Sequence, residues 1–293
     1  MIIDPRLLRA QFLFNSGADI VEYKEDFAIS FSAGKNVFSI QNNSRLEIKN
    51  VRREVRADMM TRFNQFALRT QETPFLPVNI SAGRESYGPS LVYTGNVIKC
   101  SMGNPPDISV IMDLATNQID KTKWVQYWPK LPTTFSGLCQ WAAGVLGLTP
   151  EIHLPASLAN APVTNFLGGN MITLEAIPIY IQRYYPDQIV AFIDDSALVV
   201  MTIGAVVASR GTVQIGYGSE NPFIGIPEWT EFGIAGKVLF TPELKLGCAV
   251  NAVSVMNPSI NGSYVVGKID YELTCRDTPF YASFTAYPKA ATA

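Results

Sequence analysis

The stretch FIGIPEWTEFGIAGKVLFTPELKLG, Phe223–Gly247, decides how this chain is read. It is dense in Gly, Pro and apolar residues and holds no His, Cys or Asp. Such a segment supplies corners and packing surface, and none of the groups that most often move protons or hold metals. Gly and Pro set tight turns between short strands, with VLF and LKLG expected to supply apolar wall. From Arg210 onward the same grammar recurs: VQIGY, GKVLFT, CAVNAVSVM, SYVVGKIDYELT and FYASFTA read as β runs divided by closely spaced turns. Many short strands at close spacing indicate a barrel or sandwich. Within SYVVGKIDYELT, Val265, Lys268, Asp270 and Glu272 break strict alternation, which predicts a bulge or twist near Gly267.

The N-terminal third follows suit. DIVEY, FAISFSA and, after an expected turn at GKN, VFSI read as strands, with Phe27, Ile29 and Phe31 on one face. Asn42 and Asn43 are expected to close that pair as a turn, and RLEIKNV to start another strand. REVRADMMTRFNQFA changes period: Val55, Met59, Met60, Phe63 and Phe66 recur at steps of three and four, one face of a helix with Arg53, Arg56, Asp58 and Arg62 outside. FLPVNISAG, SLVYTGNVIKCSM and, past the break at GNPPD, ISVIMDLA return to strand.

The middle differs. TTFSGLCQWAAGVLGL carries an N-cap at Thr133 or Thr134, apolar residues at helical spacing and a terminating Gly147. A second helix is expected from Asn170, with Met171, Leu174 and Ile177 inward and Pro178 kinking or ending it; IYIQRYY is open between helix and strand. IVAFI, the turn DDSA and LVVMTI read as a hairpin. The chain thus divides into a β unit with one helix over 1–117, a small α+β unit over 118–208 and a second β unit over 209–293. No sequence identity relates the two β units, so any repeat between them is architectural.

Composition narrows the function. A chain of 293 residues with 47% hydrophobic and 16% charged residues is folded and rich enough in apolar surface to bury some of it against partners. The balance of 23 basic against 25 acidic residues sets up no field for phosphate backbones or anionic membranes. The N-terminus MIIDPRLLRAQF lacks a signal-peptide pattern. The longest apolar run, Ala197–Ala208, falls short of the ~20 residues of a spanning helix and is β-branched, as a buried strand pair would be. Cys100, Cys139, Cys248 and Cys275 lack ligand spacing and are expected to be buried thiols in a reducing cytoplasm.

Candidate chemistry is sparse. His153 is the one histidine and stands apart from any nucleophile motif. Asp194 and Asp195 are adjacent, so in a strand they would face opposite ways, and they fall where a turn is needed. GYGSENPFIG matches no phosphate-binding pattern. Trp124, Tyr127 and Trp128 in KWVQYWPKLP suit an interface or a stacking platform. The arginines of KNVRREVRADMMTR are either a solvated helix face or a contact with an acidic neighbour. The expected contacts are Arg52, Arg53, Arg56, Trp124, Trp128 and, in the opening stretch, Trp229; no catalytic, cofactor or metal residue is expected.

In this order the phrases resemble one family. PVNISAGRESYGPSLVYTGNVIKCSMGNPPDISVIMDLA, Pro77–Ala115, resembles the strand–loop–strand and PPD turn of hub proteins in the baseplates of contractile-tailed bacteriophages. TFSGLCQWAAGVLGL is similar to the next helix in that family, and Gly225–Val250 with Gly262–Ala286 to the family's last domain. Arg84 stands where the family has an aromatic residue and Tyr271 where it has His. The resemblance implies a mainly β chain with two tail-tube-like antiparallel β-barrel domains around a small α+β insert. It implies a non-enzymatic homotrimer without cofactors that joins the sixfold tail tube to the threefold central spike and lines the DNA-ejection channel, DNA passing unread and no membrane being entered. Tail tube or tube initiator, the tape-measure C-terminus and baseplate wedge proteins are the other implied partners, in a virion baseplate assembled in the host cytoplasm. Two alternatives are the hub of a contractile injection or type VI secretion apparatus and a glycan-binding tail protein.

Overall fold

The computed structural model describes residues 4–14, 17–39, 42–64, 76–104, 108–116, 123–167, 172–276 and 278–289. The N-terminal strands are β1 (Arg6–Phe14), β2 (Asp19–Tyr23), β3 (Ile29–Asn36), β4 (Asn43–Lys49), β5 (Leu76–Arg84), β6 (Gly88–Met102) and β7 (Ser109–Ala115), with helix α1 (Arg53–Arg62) between β4 and β5. Alternation places Leu8, Ala10 and Phe12 of β1 and Val78, Ile80 and Ala82 of β5 inward. Helix α1 buries Met59 and is followed by buried Phe63, while Val55 and Met60 pack partly; Phe66 lies outside the described residues.

Two turns fall elsewhere than expected. Gly34–Asn36 continues β3, and the chain reverses after it, with Val37 and Phe38 in the turn instead of in a strand. The reason is Lys35, which takes the inward position after Ile29, Phe31 and Ala33 and is matched there by buried carboxylates. Asn43 opens β4, and Asn42 is buried, its Oδ1 accepting the Asn36 N–H at 3.0 Å.

The middle unit contains β8 (Thr133–Thr134), α2 (Phe135–Leu146), β9 (Thr149–His153), α3 (Ala156–Ala159), β10 (Pro162–Val163), α4 (Ile177–Gln182), β11 (Ile189–Asp194) and β12 (Ala197–Thr202). Thr134 caps α2 by accepting the Gly137 N–H at 3.0 Å, and Gly147 ends it at φ 69°. Pro178 lies in the first turn of α4, where its missing N–H costs no hydrogen bond; it helps open the helix instead of breaking it. Asn170 and Met171 lie outside the described residues. Hairpin β11–β12 is buried on both faces. Val190, Phe192, Val199 and Met201 join the β core, whereas Ala191, Ile193, Leu198 and Val200 join a second core with α2 and α4. Two-sided burial is why the run is apolar without alternation.

The last third contributes β13 (Thr212–Gly216), β14 (Glu228–Thr230), β15 (Gly233–Leu239), β16 (Ala249–Val253), β17 (Gly262–Thr274) and β18 (Phe280–Pro288). Its segment TPELKLG is not wall but a connection between β15 and β16, with Leu244 and Leu246 buried beneath it. The Leu244 carbonyl accepts the Tyr271 hydroxyl at 3.0 Å, so the tyrosine at the family's His position is a buried strut.

Strand order relates the two β units. The N-terminal unit runs β3-β4-β7-β6-β5-β1-β2 and the C-terminal unit β14-β15-β18-β17-β16-β13, the same order of six strands with β2 added at the N-terminal unit's end. All neighbours are antiparallel except β13 and β16. The units are joined in one sheet because β17 changes partner along one side: Gly262–Val265 pair with β16 and Lys268–Thr274 with β3. The change falls at a bulge between Val266 and Lys268, where the Gly267 carbonyl accepts the Val37 N–H at 3.0 Å. A Cβ on Gly267 would stand 1.8 Å from the Tyr287 ring. Gly267→Ala is expected to cost about 1–3 kcal/mol in chemical denaturation, and Tyr287→Ser in the same chain to recover part of it. An unchanged midpoint for the single variant would show that the ring is free to move aside.

Candidate functional site

The described residues bring ionisable side chains together where the three units meet. Lys35 Nζ of β3 lies 2.9 Å from Asp194 Oδ1 and 2.9 Å from Asp195 Oδ1, at the tip of hairpin β11–β12. Arg210, which leads into β13, reaches Asp194 Oδ2 at 2.6 Å and Glu151 Oε2 of β9 at 3.0 Å, and donates to the Leu246 carbonyl at 2.7 Å. The Thr94 N–H of β6 donates to Asp195 Oδ1 at 3.0 Å, and Asn42 Nδ2 to the Ile193 carbonyl at 3.4 Å. The expectation that Asp194 and Asp195 face apart is overturned. Asp195 adopts φ 52°, so strand alternation does not apply and both carboxylates meet one ammonium.

Burial would raise the Asp194 pKa, but Lys35 and Arg210 outweigh it and hold the carboxyl at about 2. Burial raises Asp195 despite Lys35, and repulsion from Asp194 adds to it. Burial would lower Lys35, yet the two carboxylates raise it. Beside the cluster is a cavity of about 30 Å³, room for a water, bordered by Lys35, Asp194, Asp195, Lys245 and Tyr271. The cluster's charges are committed to one another across the junction, which makes it a clamp between units.

The remaining chemistry is dispersed. His153 ends β9 with its Nε2 buried and without a hydrogen-bond partner among the described residues. Burial pushes the thiols of Cys100 and Cys139 up to about 12 and of Cys248 to about 11; Cys275 is half-buried, its thiol 3.1 Å from the Phe27 carbonyl. Among the described residues no group of His, Cys, Asp or Glu side chains is placed to hold a metal ion, and no helix is long and apolar enough to cross a membrane.

The predicted contact residues divide. Arg52 stands just before α1 and Arg53 and Arg56 lie on it; Arg52 and Arg53 are exposed, and none of the three has an ion-pair partner among the described residues. Trp124 is 52% exposed, beside Thr173. Trp128, expected at a contact, is committed within the middle unit: it stacks on Trp141 at 5.1 Å and packs against Phe166 and Tyr180. Trp229 on β14 is 53% exposed and held by a bond from its indole N–H to Ser259 Oγ at 3.1 Å. Around it lies an apolar group that sequence reading missed: Ile226, Phe232, Val255 and Met256 are exposed, and Asn257 Nδ2 ties the loops of Met256 and Ile226 together at the Pro227 carbonyl.

This architecture is that of tail-associated β-proteins. A tail protein from Neisseria meningitidis matches with a TM-score of 0.61 at 8% identity, over 96% of each chain. The 43 kDa tail protein of prophage MuSo2 from Shewanella oneidensis matches with a TM-score of 0.55 at 9% identity, over 97% of each chain. The E. coli c3393 protein, a component of the type VI secretion system with structural similarity to T4 bacteriophage tail proteins gp27 and gp5, matches with a TM-score of 0.53 at 11% identity, over 90% of this chain and 74% of its own. No curated protein matches by sequence. The family described as baseplate hub gp41 matches residues 7–286, and the chain belongs to it: it is a structural protein of the phage tail baseplate.

Asp194→Asn is expected to lower stability by about 3–5 kcal/mol at pH 7, because it removes one partner from a buried set, whereas Asp195→Asn changes little. The signs are set by the two shifts. The depressed Asp194 stabilises above the unfolded carboxylate value near ~3.9 and loses that contribution as pH falls toward about 2. The raised Asp195 stabilises at low pH and loses its contribution as pH rises through its folded value. Denaturation midpoints across pH 2–7 check both, and equal losses for the two variants would refute the assignment.

Proposed function

We propose that the chain is a homotrimeric, non-enzymatic baseplate hub that joins the sixfold tail tube to a threefold central spike and lines the channel through which DNA leaves. The observation that carries this reading is the matched strand order of the two β units. Three copies of a chain with two equivalent units present six similar units about a threefold axis, which is what a threefold-to-sixfold adaptor requires. Assembly in the host cytoplasm and contacts with tape-measure and wedge proteins belong to the same reading.

The sheet face across β3, β4 and β17 supports the channel role. It forms an open groove of about 730 Å³ bordered by Ser32, Gly34, Arg45, Asp270, Glu272 and Ser283. Its charges are of both signs: Arg45 stands across from Asp113, Lys268 pairs with Asp270 at 2.7 Å and Lys237 approaches Glu272 at 3.8 Å. A surface of mixed sign lets a polyanion pass without holding it. The fold shared with the E. coli type VI component favours one second reading, the hub of an injection apparatus; neighbouring spike and tape-measure genes, as against effector genes, separate the two.

Native mass spectrometry of the purified chain, alone and co-expressed with the spike encoded beside it, tests the proposal. A threefold mass or a three-to-three complex is expected. A persistent monomer in both samples would overturn it.

A further inference from the structure

The two β units differ by one strand. β1 and β13 hold the same position in strand order, but β2 covers the outer side of β1, from Ala10 opposite Tyr23 to Phe14 opposite Asp19. β13 pairs with β16 and, among the described residues, with no strand on its other side. β2 lies between β1 and the chain leaving β4: Tyr23 packs edge-on to Phe12 at 6.0 Å and is close enough to Arg52 to feel its charge. The matching place in the C-terminal unit lies between β13 and the chain leaving β15. An open groove of about 810 Å³ runs there, bordered by Glu151, Arg210, Thr212, Pro242, Glu243 and Lys245. Through Thr212 and Glu243 it continues into a second of about 390 Å³ beside Gln214, Tyr217 and Glu220. Only the place is carried over, since β13 runs parallel to β16 and β1 antiparallel to β5.

The backbone of β13 suits an added strand. In its ladder with β16 the Gly211 carbonyl accepts the Ala249 N–H at 3.1 Å, and the Val253 carbonyl accepts the Tyr217 N–H at 2.8 Å. Alternation then turns the amides of Val213 and Ile215 toward β16 and those of Thr212 and Gln214 away from it. Beyond Gln214 the edge is closed by its own loop: Asn221 donates from Nδ2 to the Gln214 carbonyl at 3.3 Å, and its carbonyl accepts the Gly216 N–H at 2.9 Å. The open length is Thr212–Gln214. Both end residues are exposed, and the stretch carries neither Lys nor Pro, residues that blunt sheet edges elsewhere.

We propose that this edge takes a short extended arm of a baseplate protein outside the ring, added beside β13 as β2 is added beside β1. The side from which the arm comes rests on the hub reading. The groove borders Asp194 and Asp195, on the Lys35 side of β3, whereas the channel face carries Ser32 and Gly34. It therefore opens away from the channel, and what travels along the channel does not reach it. Charge sets the chemistry of the arm. Glu220 and Glu243 are exposed and Glu151 and Asp195 half-exposed along the two grooves, while Arg210 is already held by Asp194 and Glu151 and leaves Lys245 to oppose them. An arm bearing Lys or Arg fits, with main-chain bonds to Thr212 and Gln214 for affinity and exposed Leu91 and Tyr217 to receive its apolar side chains.

The test uses the full chain in its phage, with the gene disrupted and supplied from a plasmid. Gln214→Pro removes an amide that makes no bond within the β13–β16 ladder and sets the proline ring against an incoming strand. It is expected to leave melting and trimer mass unchanged and to lower the hub recovered in finished tails by about tenfold or more. In a second measurement, p-benzoylphenylalanine in place of Thr212 is irradiated in finished tails. A cross-link to a Lys- or Arg-bearing segment of another baseplate protein is expected. Wild-type recovery of a folded Gln214→Pro hub, or a cross-link to a second copy of this chain, to the spike or to nothing, would overturn the arm and leave the hub reading standing. A wild type that stays monomeric, alone and with its spike, would overturn the hub reading itself.

Discussion

The structure depends on one strand changing partner. β17 gives its first residues to β16 and its last to β3, and the exchange occurs at Gly267, where a side chain would strike Tyr287. With it the two β units share a sheet and an apolar core that runs from Leu8 to Ala286. The middle unit attaches to this frame through hairpin β11–β12, one face in each core, and its tip closes over Lys35. The clamp is specific because it is desolvated: a lysine at an inward strand position is tolerable only where carboxylates meet it.

What could be read from the sequence was whatever local chemistry decides. The Thr134 cap, the Gly147 stop and the break in alternation at Gly267 each signal within a few residues of their effect, and all three are found. Lys35 shows the limit. In Gly34–Asn36 the glycine and the asparagine favour a turn, and what makes this a strand is a pair of carboxylates near residue 194, out of reach of any local pattern. The same distance hid the clamp, since Asp194 and Asp195 look like ordinary turn residues until Asp195 enters the left-handed region. Trp128 misled for the opposite reason: an aromatic cluster in sequence reads equally as a platform or as packing, and only Trp141 and Phe166 decide.

The exposed faces were partly legible. The arginines of α1 stand out because their charge is local, and Trp229 because it is a large aromatic in a segment dense in Gly and Pro. The apolar group around Trp229 was not, since it joins loops near residues 226 and 256 that are tied by Asn257 across thirty residues of sequence. A protein whose work is to fit neighbours leaves its signal in edges and exposed faces, and a search for catalytic groups passes over both.

The partner change in β17 also orders the birth of the fold. Strand β3 is made well before the strand that completes its outer side, which includes Thr274, opposite Ser30. Until β17 is made the N-terminal unit therefore carries a bare strand edge, the kind of surface on which chains aggregate or exchange. Nascent chains on one messenger would display that edge to one another at close range. Lys35 lies on β3 with its carboxylate partners not yet made, and an unpaired charge there blunts β3 as a template for the wrong strand.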